Sequence, residues 1–342
     1  MNFYIFNSNN KSRTLIFFFF ICLLICFYFA DIAISVYESK RTTSEYYIDV
    51  LSSRAEHMRK RFPAPTKVDV IFIGSSRTRY HVDTEFLTKK GVTSYNLSLV
   101  SHNPLSYPSM VDSATEMTPK TIALELNVPW LYGNFERRIP TPGALDILAQ
   151  IKCGLPLATV GHFSLGYLEQ LSLISRYAVT LCEKSKAYLN TIIFGYMPKP
   201  IKEQKGNSAT HAKKVNIVKL SNGDGVLRGS DLDEQDIANI HIKDLSHIRK
   251  KNIEFFNYII SMAQKKGIKV FVYLAASIQT PKDFDLKLIQ KEIHAPVINL
   301  VHAVPATPEY WADEGHLNSR GRKIYSAKLL DKLNTLTNTG SL

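Results

Sequence analysis

The feature that most constrains this chain is an unbroken run of sixteen uncharged residues, Leu15 to Ala30 (LIFFFFICLLICFYFA). Continued through Ile32, Ala33, Ile34, Ser35 and Val36, with Asp31 the single charge, it reaches about the twenty residues that a bilayer core requires. The run predicts a transmembrane signal anchor over 14–36, behind a short N-terminal tail over 1–13. Asp31 falls near the far end of the span, where headgroups and water solvate it. A cleavable signal peptide is the competing reading, since Ala33-Ile34-Ser35 fits a small-x-small cleavage pattern. Against it, the apolar run is longer than the usual signal core. Charge does not set the orientation. Lys11 and Arg13 precede the span, Lys40, Arg41 and Arg54 follow it, and large domains translocate regardless of charge.

Beyond the span, Tyr47, Leu51, Ala55, Met58 and Phe62 recur at helical spacing, with Arg54, Arg59, Lys60 and Arg61 on the remaining faces. Pro63-Ala64-Pro65 stops that helix, because proline removes a donor and disfavours helix in the residue before it. The pattern predicts a basic helical stalk and proline linker over 37–66, either solvated or lying against anionic lipid headgroups. The whole chain carries a formal net charge of +12, which favours acidic partners such as phospholipid or anionic polysaccharide. Nucleic acid fits poorly, because the basic stalk is membrane-proximal and no reading motif is visible. Of the four cysteines, Cys22 and Cys26 lie in the apolar run, while Cys153 and Cys182 lack C-x-x-C spacing. Neither a disulfide scaffold nor a zinc ribbon is supported, and a single bridge between the last two stays open.

The remainder reads as alternating strands and helices. Val68–Ile73 (VDVIFI), Thr93–Leu99, Thr121–Leu126, Lys269–Leu274 (KVFVYL) and Val297–Val301 are strand candidates rich in β-branched and aromatic residues. Phe255–Lys266 repeats Phe256, Ile259, Ile260 and Ala263 at helical spacing and ends at Gly267. Helical patches fall around Leu145–Ile151 and Leu168–Leu181, and a final helix over Arg322–Leu333. Alternation of this kind predicts an α/β domain over 67–335, a parallel sheet covered by helices on both faces in three α/β/α layers. Reactive groups then gather at the carboxyl ends of the strands. Pro198 to Gln235, polar and lysine-rich, reads as an irregular insertion or mobile lid, solvated or holding an anionic substrate.

Four strand ends carry candidate chemistry. Gly74-Ser75-Ser76 follows the first strand, and a serine at a strand-to-helix turn projects its hydroxyl above the sheet. A serine nucleophile needs a base, and the base an orienting acid. Asp313-Glu314-Gly315-His316, after the last strand candidate, supplies a D-x-x-H pair and continues as Leu317-Asn318-Ser319-Arg320-Gly321. A second D-x-x-H, Asp244 to His247, lacks any strand-end context and is discounted as catalytic. Asn96-Leu97-Ser98 and Glu125-Leu126-Asn127 follow the second and third strands.

The order G-x-S, N-L-S, E-L-N and D-x-x-H-L-N-x-x-G, each at a strand end, resembles the SGNH/GDSL hydrolase superfamily. The resemblance implies Ser76 as nucleophile, His316 as base and Asp313 as its orienting acid. Ser76 is preferred to Ser75 because it holds the third position of the triplet. The resemblance also implies an oxyanion hole from the amides of Ser76 and Ser98 and the Asn127 side chain. Ser98 stands where the family commonly has glycine, and Glu125 and Val128 depart from the usual flanks of the asparagine.

A single span, a stalk and an SGNH-like domain with G-S-S further resemble membrane-tethered proteins of cell-envelope acylation. Examples are the D-alanyl-transfer protein of teichoic acid D-alanylation and the SGNH-like components of exopolysaccharide O-acetylation. That likeness implies O-acyl, foremost O-acetyl, transfer to an extracytoplasmic glycan by a single-pass protein of a bacterial inner membrane. It implies a separate multi-spanning membrane-bound O-acyltransferase as partner, and calls for no metal or cofactor. An esterase or deacetylase of the same glycan and a catalytically silent scaffold are the competing readings.

Overall fold

A computed structural model of the chain describes residues 18–19, 22, 25–26, 51–63, 66–133, 143–157, 159–161, 164, 216–219, 224–240, 245 and 247–339. The chain divides into two units, 1–45 with 165–204, and 46–164 with 205–342. Of the first unit only Phe18, Phe19, Cys22, Ile25 and Cys26 are described, all helical and exposed. The expected anchor over 14–36 therefore lies for the most part outside the described residues, as do the helical patch at Leu168–Leu181 and Cys182. Among the described residues no helix is long and apolar enough to cross a membrane.

The second unit is an α/β fold around five parallel strands: β1 (Val70–Ile73), β2 (Ser94–Asn96), β3 (Thr121–Leu126), β6 (Lys269–Leu274) and β7 (Val297–Asn299). They lie in the order β2-β1-β3-β6-β7. Every residue of β1, β2 and β3 is buried, as expected of parallel strands covered on both faces. Alternate side chains point to opposite faces. Ile71, Ile73, Ile122, Leu124, Val270 and Val272 belong to one apolar cluster, and Val70, Phe72, Ala123, Phe271 and Tyr273 to another.

In chain order the helices are α1 (Leu51–Arg61), α2 (Ser76–His81), α3 (Thr84–Lys89), α4 (Tyr107–Thr115), α5 (Pro129–Tyr132), α6 (Ala144–Lys152), α7 (Glu234–Ala238), α8 (Lys250–Gln264), α9 (Leu286–Glu292) and α10 (Ser319–Asn338). Helices α4 and α8 close the first cluster through Met110, Val111, Phe256, Ile259 and Ile260. Helix α10 closes the second through Tyr325, Leu329 and Leu333. The predicted stripe of α8 is the buried one, and Gly267, at φ +74°, turns the chain into β6.

Two expectations are corrected. The helix read as a basic stalk is part of the domain: Ala55, Met58 and Phe62 are buried, and the last two join the first apolar cluster. Arg54, assigned by its charge to an outer face, is 1% exposed and donates to the Asn96 carbonyl. Its aliphatic stem and a carbonyl acceptor make burial of that guanidinium tolerable. Helix α1 does end before Pro63, as the prolines require. The second correction concerns 198–235. Residues 198–215 lie outside the described set, but β4 (Asn216–Lys219) and β5 (Gly225–Arg228) form an antiparallel hairpin.

That hairpin is anchored. Asp224, just before β5, is buried and accepts from Thr84 N (2.9 Å), Asn96 Nδ2 (3.0 Å) and Arg322 Nη2 (2.5 Å). Burial pushes its carboxyl up to about 6, against the pull of Arg322 and of the Thr84 amide. Gly225 lies so close to the Tyr80 ring that a Cβ there would overlap it. A solvated lid has no such buried ionic tie.

The sheet order reverses direction at the β1–β3 boundary. In open parallel sheets such a reversal opens a crevice beyond the carboxyl ends of the strands. Ile73 pairs with Leu124 there, so Ser76 and Asn127 each lie three residues past the same rung.

Candidate active site

Gly74 ends β1 because nothing larger fits. A Cβ at that position would overlap Thr78 Oγ1 and the Glu125 carboxylate, so β3 approaches the turn closely. Ser75 is then the N-cap of α2, its Oγ accepting from Arg77 N at 3.2 Å. The same hydroxyl donates to Glu125 Oε1 at 2.7 Å. Ser75 is thus engaged on the inner side of the turn, and Ser76, the first helical residue, faces outward.

Ser76 Oγ lies 2.8 Å from His316 Nε2, and His316 Nδ1 lies 2.9 Å from both carboxylate oxygens of Asp313. A carboxylate only accepts, so Nδ1 carries the proton and Nε2 offers its lone pair to the Ser76 hydroxyl. The serine, histidine and aspartate expected to cooperate are within hydrogen-bond reach across 240 residues of sequence. The rival D-x-x-H does not share this setting: His247 is exposed ahead of α8, and Asp244 lies outside the described residues.

Each letter of the C-terminal motif has a local reason. Trp311 and Leu317 form an antiparallel bridge that closes the loop, and Ala312 N donates to His316 O at 2.8 Å. Gly315 N donates to Asp313 Oδ1 at 2.8 Å and aims the carboxylate. Asn318 caps α10, accepting from Arg320 N at 3.0 Å and Gly321 N at 3.2 Å. Any side chain at Gly321 would run into the Tyr310 carbonyl. The Tyr80 ring packs edge-on against the His316 imidazole, with centroids 5.3 Å apart.

The two oxyanion assignments fare differently. Asn127 is 9% exposed beyond β3, and its Oδ1 is buried with no hydrogen-bond partner among the described residues. Ser98 is fully buried, and both its amide (3.2 Å) and its hydroxyl (2.5 Å) donate to Asn96 Oδ1. The expected Ser98 donor is therefore already engaged within its own turn. The reason is Asn96, whose Nδ2 is fixed by Thr78 O (3.0 Å) and Asp224 Oδ1, leaving its oxygen to organise the N-L-S turn. The donors that remain are Ser76 N–H, the first amide of α2, and the Asn127 side chain.

Two residues to which the motifs gave no role complete the site. Glu125 is fully buried in β3 and accepts from Ser75 N (2.8 Å), Ser75 Oγ, Thr78 N (3.0 Å) and Thr78 Oγ1. It grips the turn on both sides of Ser76. An acid inside an otherwise apolar strand, TIALEL, is the signal that could have found it, since a buried carboxylate requires donors. Arg77 is the second. Burial lowers its pKa, while the charges of Glu125 and Asp313 act in the opposite sense and favour the cation.

His81, in the same helix, is no rival base. It is fully buried, and desolvation, with His316 and Arg77 nearby, holds it well below its ordinary pKa. Its Nε2 accepts from Leu317 N at 3.2 Å, which ties the histidine loop to α2.

The electrostatics of the pair set a pH expectation. Burial pushes the Asp313 carboxyl up, but the hydrogen bond and charge of His316, with the Gly315 amide, outweigh it and leave Asp313 below its usual value. A carboxyl lowered in the folded state adds stability above its ordinary value of about 4, and that stability is lost as pH falls through the folded value. Asp313 is therefore ionised throughout the range from pH 5 to 8. A kcat/KM profile should therefore show no step above pH 5 that belongs to Asp313, and a two-proton slope there would count against the assignment.

Chemically, the arrangement can activate one hydroxyl for attack on an electrophilic carbon. No family model, curated protein or solved structure matches the chain.

Proposed function

We propose that this chain is a membrane-anchored, SGNH-like O-acyltransferase that moves an acyl group, foremost acetyl, onto an extracytoplasmic envelope polysaccharide through a Ser76 acyl-enzyme. The observation that carries this reading is the continuous Ser76–His316–Asp313 hydrogen-bonded relay. It stands at the carboxyl edge of a parallel α/β sheet, where the sheet order reverses. The apolar run at residues 15–30 supports the anchor, and the +12 charge supports an anionic glycan or lipid surface.

Ser76 Oγ attacks the acyl carbonyl as His316 Nε2 takes its proton, and Asp313 holds the imidazole tautomer and balances its charge. The developing oxyanion accepts from Ser76 N–H and the Asn127 side-chain amide. Collapse expels the first alcohol, which leaves with the proton from His316. A sugar hydroxyl then enters, gives its proton to His316 and attacks the acyl carbon; as the new ester forms, Ser76 Oγ leaves and takes that proton back from His316. With water as acceptor the same sequence is ester hydrolysis. Delivery of acyl groups across a membrane falls outside what this site performs, so a separate multi-spanning acyltransferase is the proposed partner.

The deciding experiment gives the full-length chain a chromogenic acetyl ester with and without an oligosaccharide acceptor. Transfer predicts acetylated sugar and faster release of the chromophore when acceptor is present. Free acetate alone, at a rate indifferent to acceptor, would assign the chain as an esterase. Chromophore release in neither condition would leave a silent scaffold.

A further inference from the structure

A cavity of about 480 Å³ opens behind the histidine loop, between the segment after β6, the loop after β7, and α7 with Ile240 just beyond it. Its size is within the range of small-molecule sites, about 300–1,000 Å³. Two hydroxyl-bearing side chains line it, Ser277 and Thr280, at 1% and 2% exposure. Neither hydroxyl has a hydrogen-bond partner among the described residues. A buried hydroxyl left in that state costs about 1–3 kcal/mol, so two in one cavity mark a place that something polar completes.

The rest of the lining narrows the chemistry. Trp311, 1% exposed, contributes an indole held in place by its Nε1–H on Pro305 O at 2.9 Å. An aromatic wall beside paired hydroxyls suits a ring with apolar C–H faces and an equatorial rim of hydroxyls. Among the described residues of the lining, Lys282 and His302 are the ionisable ones and none is a carboxylate. Both are exposed, as groups at a cavity mouth are. The cavity is also wired to the reactive loop. Trp311 pairs with Leu317, Gln279 Nε2 donates to Glu314 Oε2 at 3.2 Å, and Arg77 Nη1 donates to Ala276 O at 3.5 Å.

We propose that this cavity is a subsite for a pyranose unit bearing a carboxylate, with Ser277 and Thr280 bonding ring hydroxyls, Trp311 against the ring, and Lys282 at the carboxylate. The proposal rests on the acyl-transfer reading for its role, as the site that holds the polymer while a neighbouring sugar hydroxyl reaches Ser76. Its binding chemistry rests on the cavity alone.

The chain has two tryptophans, Trp130 and Trp311, so Trp130→Phe leaves Trp311 as the single indole reporter. In full-length protein carrying Trp130→Phe and Ser76→Ala, which removes turnover, titration with a galacturonate trimer should change Trp311 fluorescence to saturation. Thr280→Val and Ser277→Ala should each weaken that binding by about five- to tenfold, and neither should lower the thermal midpoint, because each deletes a hydroxyl without a partner. Lys282→Ala should erase the preference for the acidic trimer over a neutral glucose trimer. An absent or non-saturating signal, or affinities unmoved in both hydroxyl variants, overturns the subsite. Equal affinity for the neutral trimer in the parent protein overturns carboxylate recognition. Saturable binding, with no ester turnover in the protein that keeps Ser76, would sink the acyl-transfer reading and keep the subsite; ester turnover in that protein with no sugar binding would do the reverse.

Discussion

Ser76→Ala will lower the turnover of an acetyl ester by about four to six orders of magnitude, and Ser75→Ala by about tenfold or less. The contrast follows from where the two hydroxyls point. Ser76 Oγ is 2.8 Å from the lone pair of His316, whereas Ser75 Oγ donates to Glu125 and accepts from the Arg77 amide. Removing the first deletes the nucleophile itself, so what remains is the rate that an oxyanion hole and binding provide. Removing the second deletes an N-cap, worth about 1–2 kcal/mol of stability, and disturbs the turn only through Glu125. His316→Ala should match Ser76→Ala, because the three groups act as a unit and their losses do not add. The measurement is kcat for a chromogenic ester at saturation in each full-length variant. Activity that follows Ser75 rather than Ser76 would refute the orientation of the turn.

Much of this arrangement is legible in the sequence. The strands at Thr121–Leu126 and Lys269–Leu274 are legible to the residue because short β-branched and aromatic runs, bounded by turn residues, have few other fates. Serine, aspartate and histidine were legible because each sits at a strand end in a short motif with its own punctuation. Arg54 was misplaced because helical periodicity ranks faces by charge, and an arginine whose stem packs while its head meets a carbonyl breaks that ranking. The Asp224–Arg322 pair was invisible for a different reason: 98 residues separate its members, and neither lies in a motif. Ser98 was assigned by position to the oxyanion hole, and only the side chain of Asn96 decides that its amide is engaged elsewhere. Local patterning thus reaches the backbone scaffold and the first reactive groups. It does not reach the buried polar contacts between distant segments that aim them.

Glu125 is the sharpest instance, and it carries the second large expectation. Glu125→Ala should destabilise the domain by about 4 kcal/mol or more and lower the thermal midpoint by about 10 °C. The carboxylate is buried and receives two backbone amides, Ser75 N and Thr78 N, which cannot turn to other partners as the two hydroxyls can. Each orphaned amide costs about 1–3 kcal/mol. Arg77 loses a neighbouring counter-charge in the same step, which adds to the penalty of its burial. Glu125→Gln is the milder change. Its single oxygen can occupy the place of Oε2, which accepts both amides, while its NH2 faces Ser75 Oγ, a hydroxyl able to accept. The glutamine variant should therefore keep most of the stability, losing about 1–2 kcal/mol as a neutral acceptor replaces a charged one. Activity should fall further than stability in the alanine variant, because Ser76 lies between the two gripped residues and a displacement of about 1 Å at a nucleophile costs roughly a hundredfold. Thermal denaturation and ester turnover of the folded fraction separate the two effects. An alanine variant that melts within a degree or two of the parent would mean that the turn holds Ser76 without the acid beneath it.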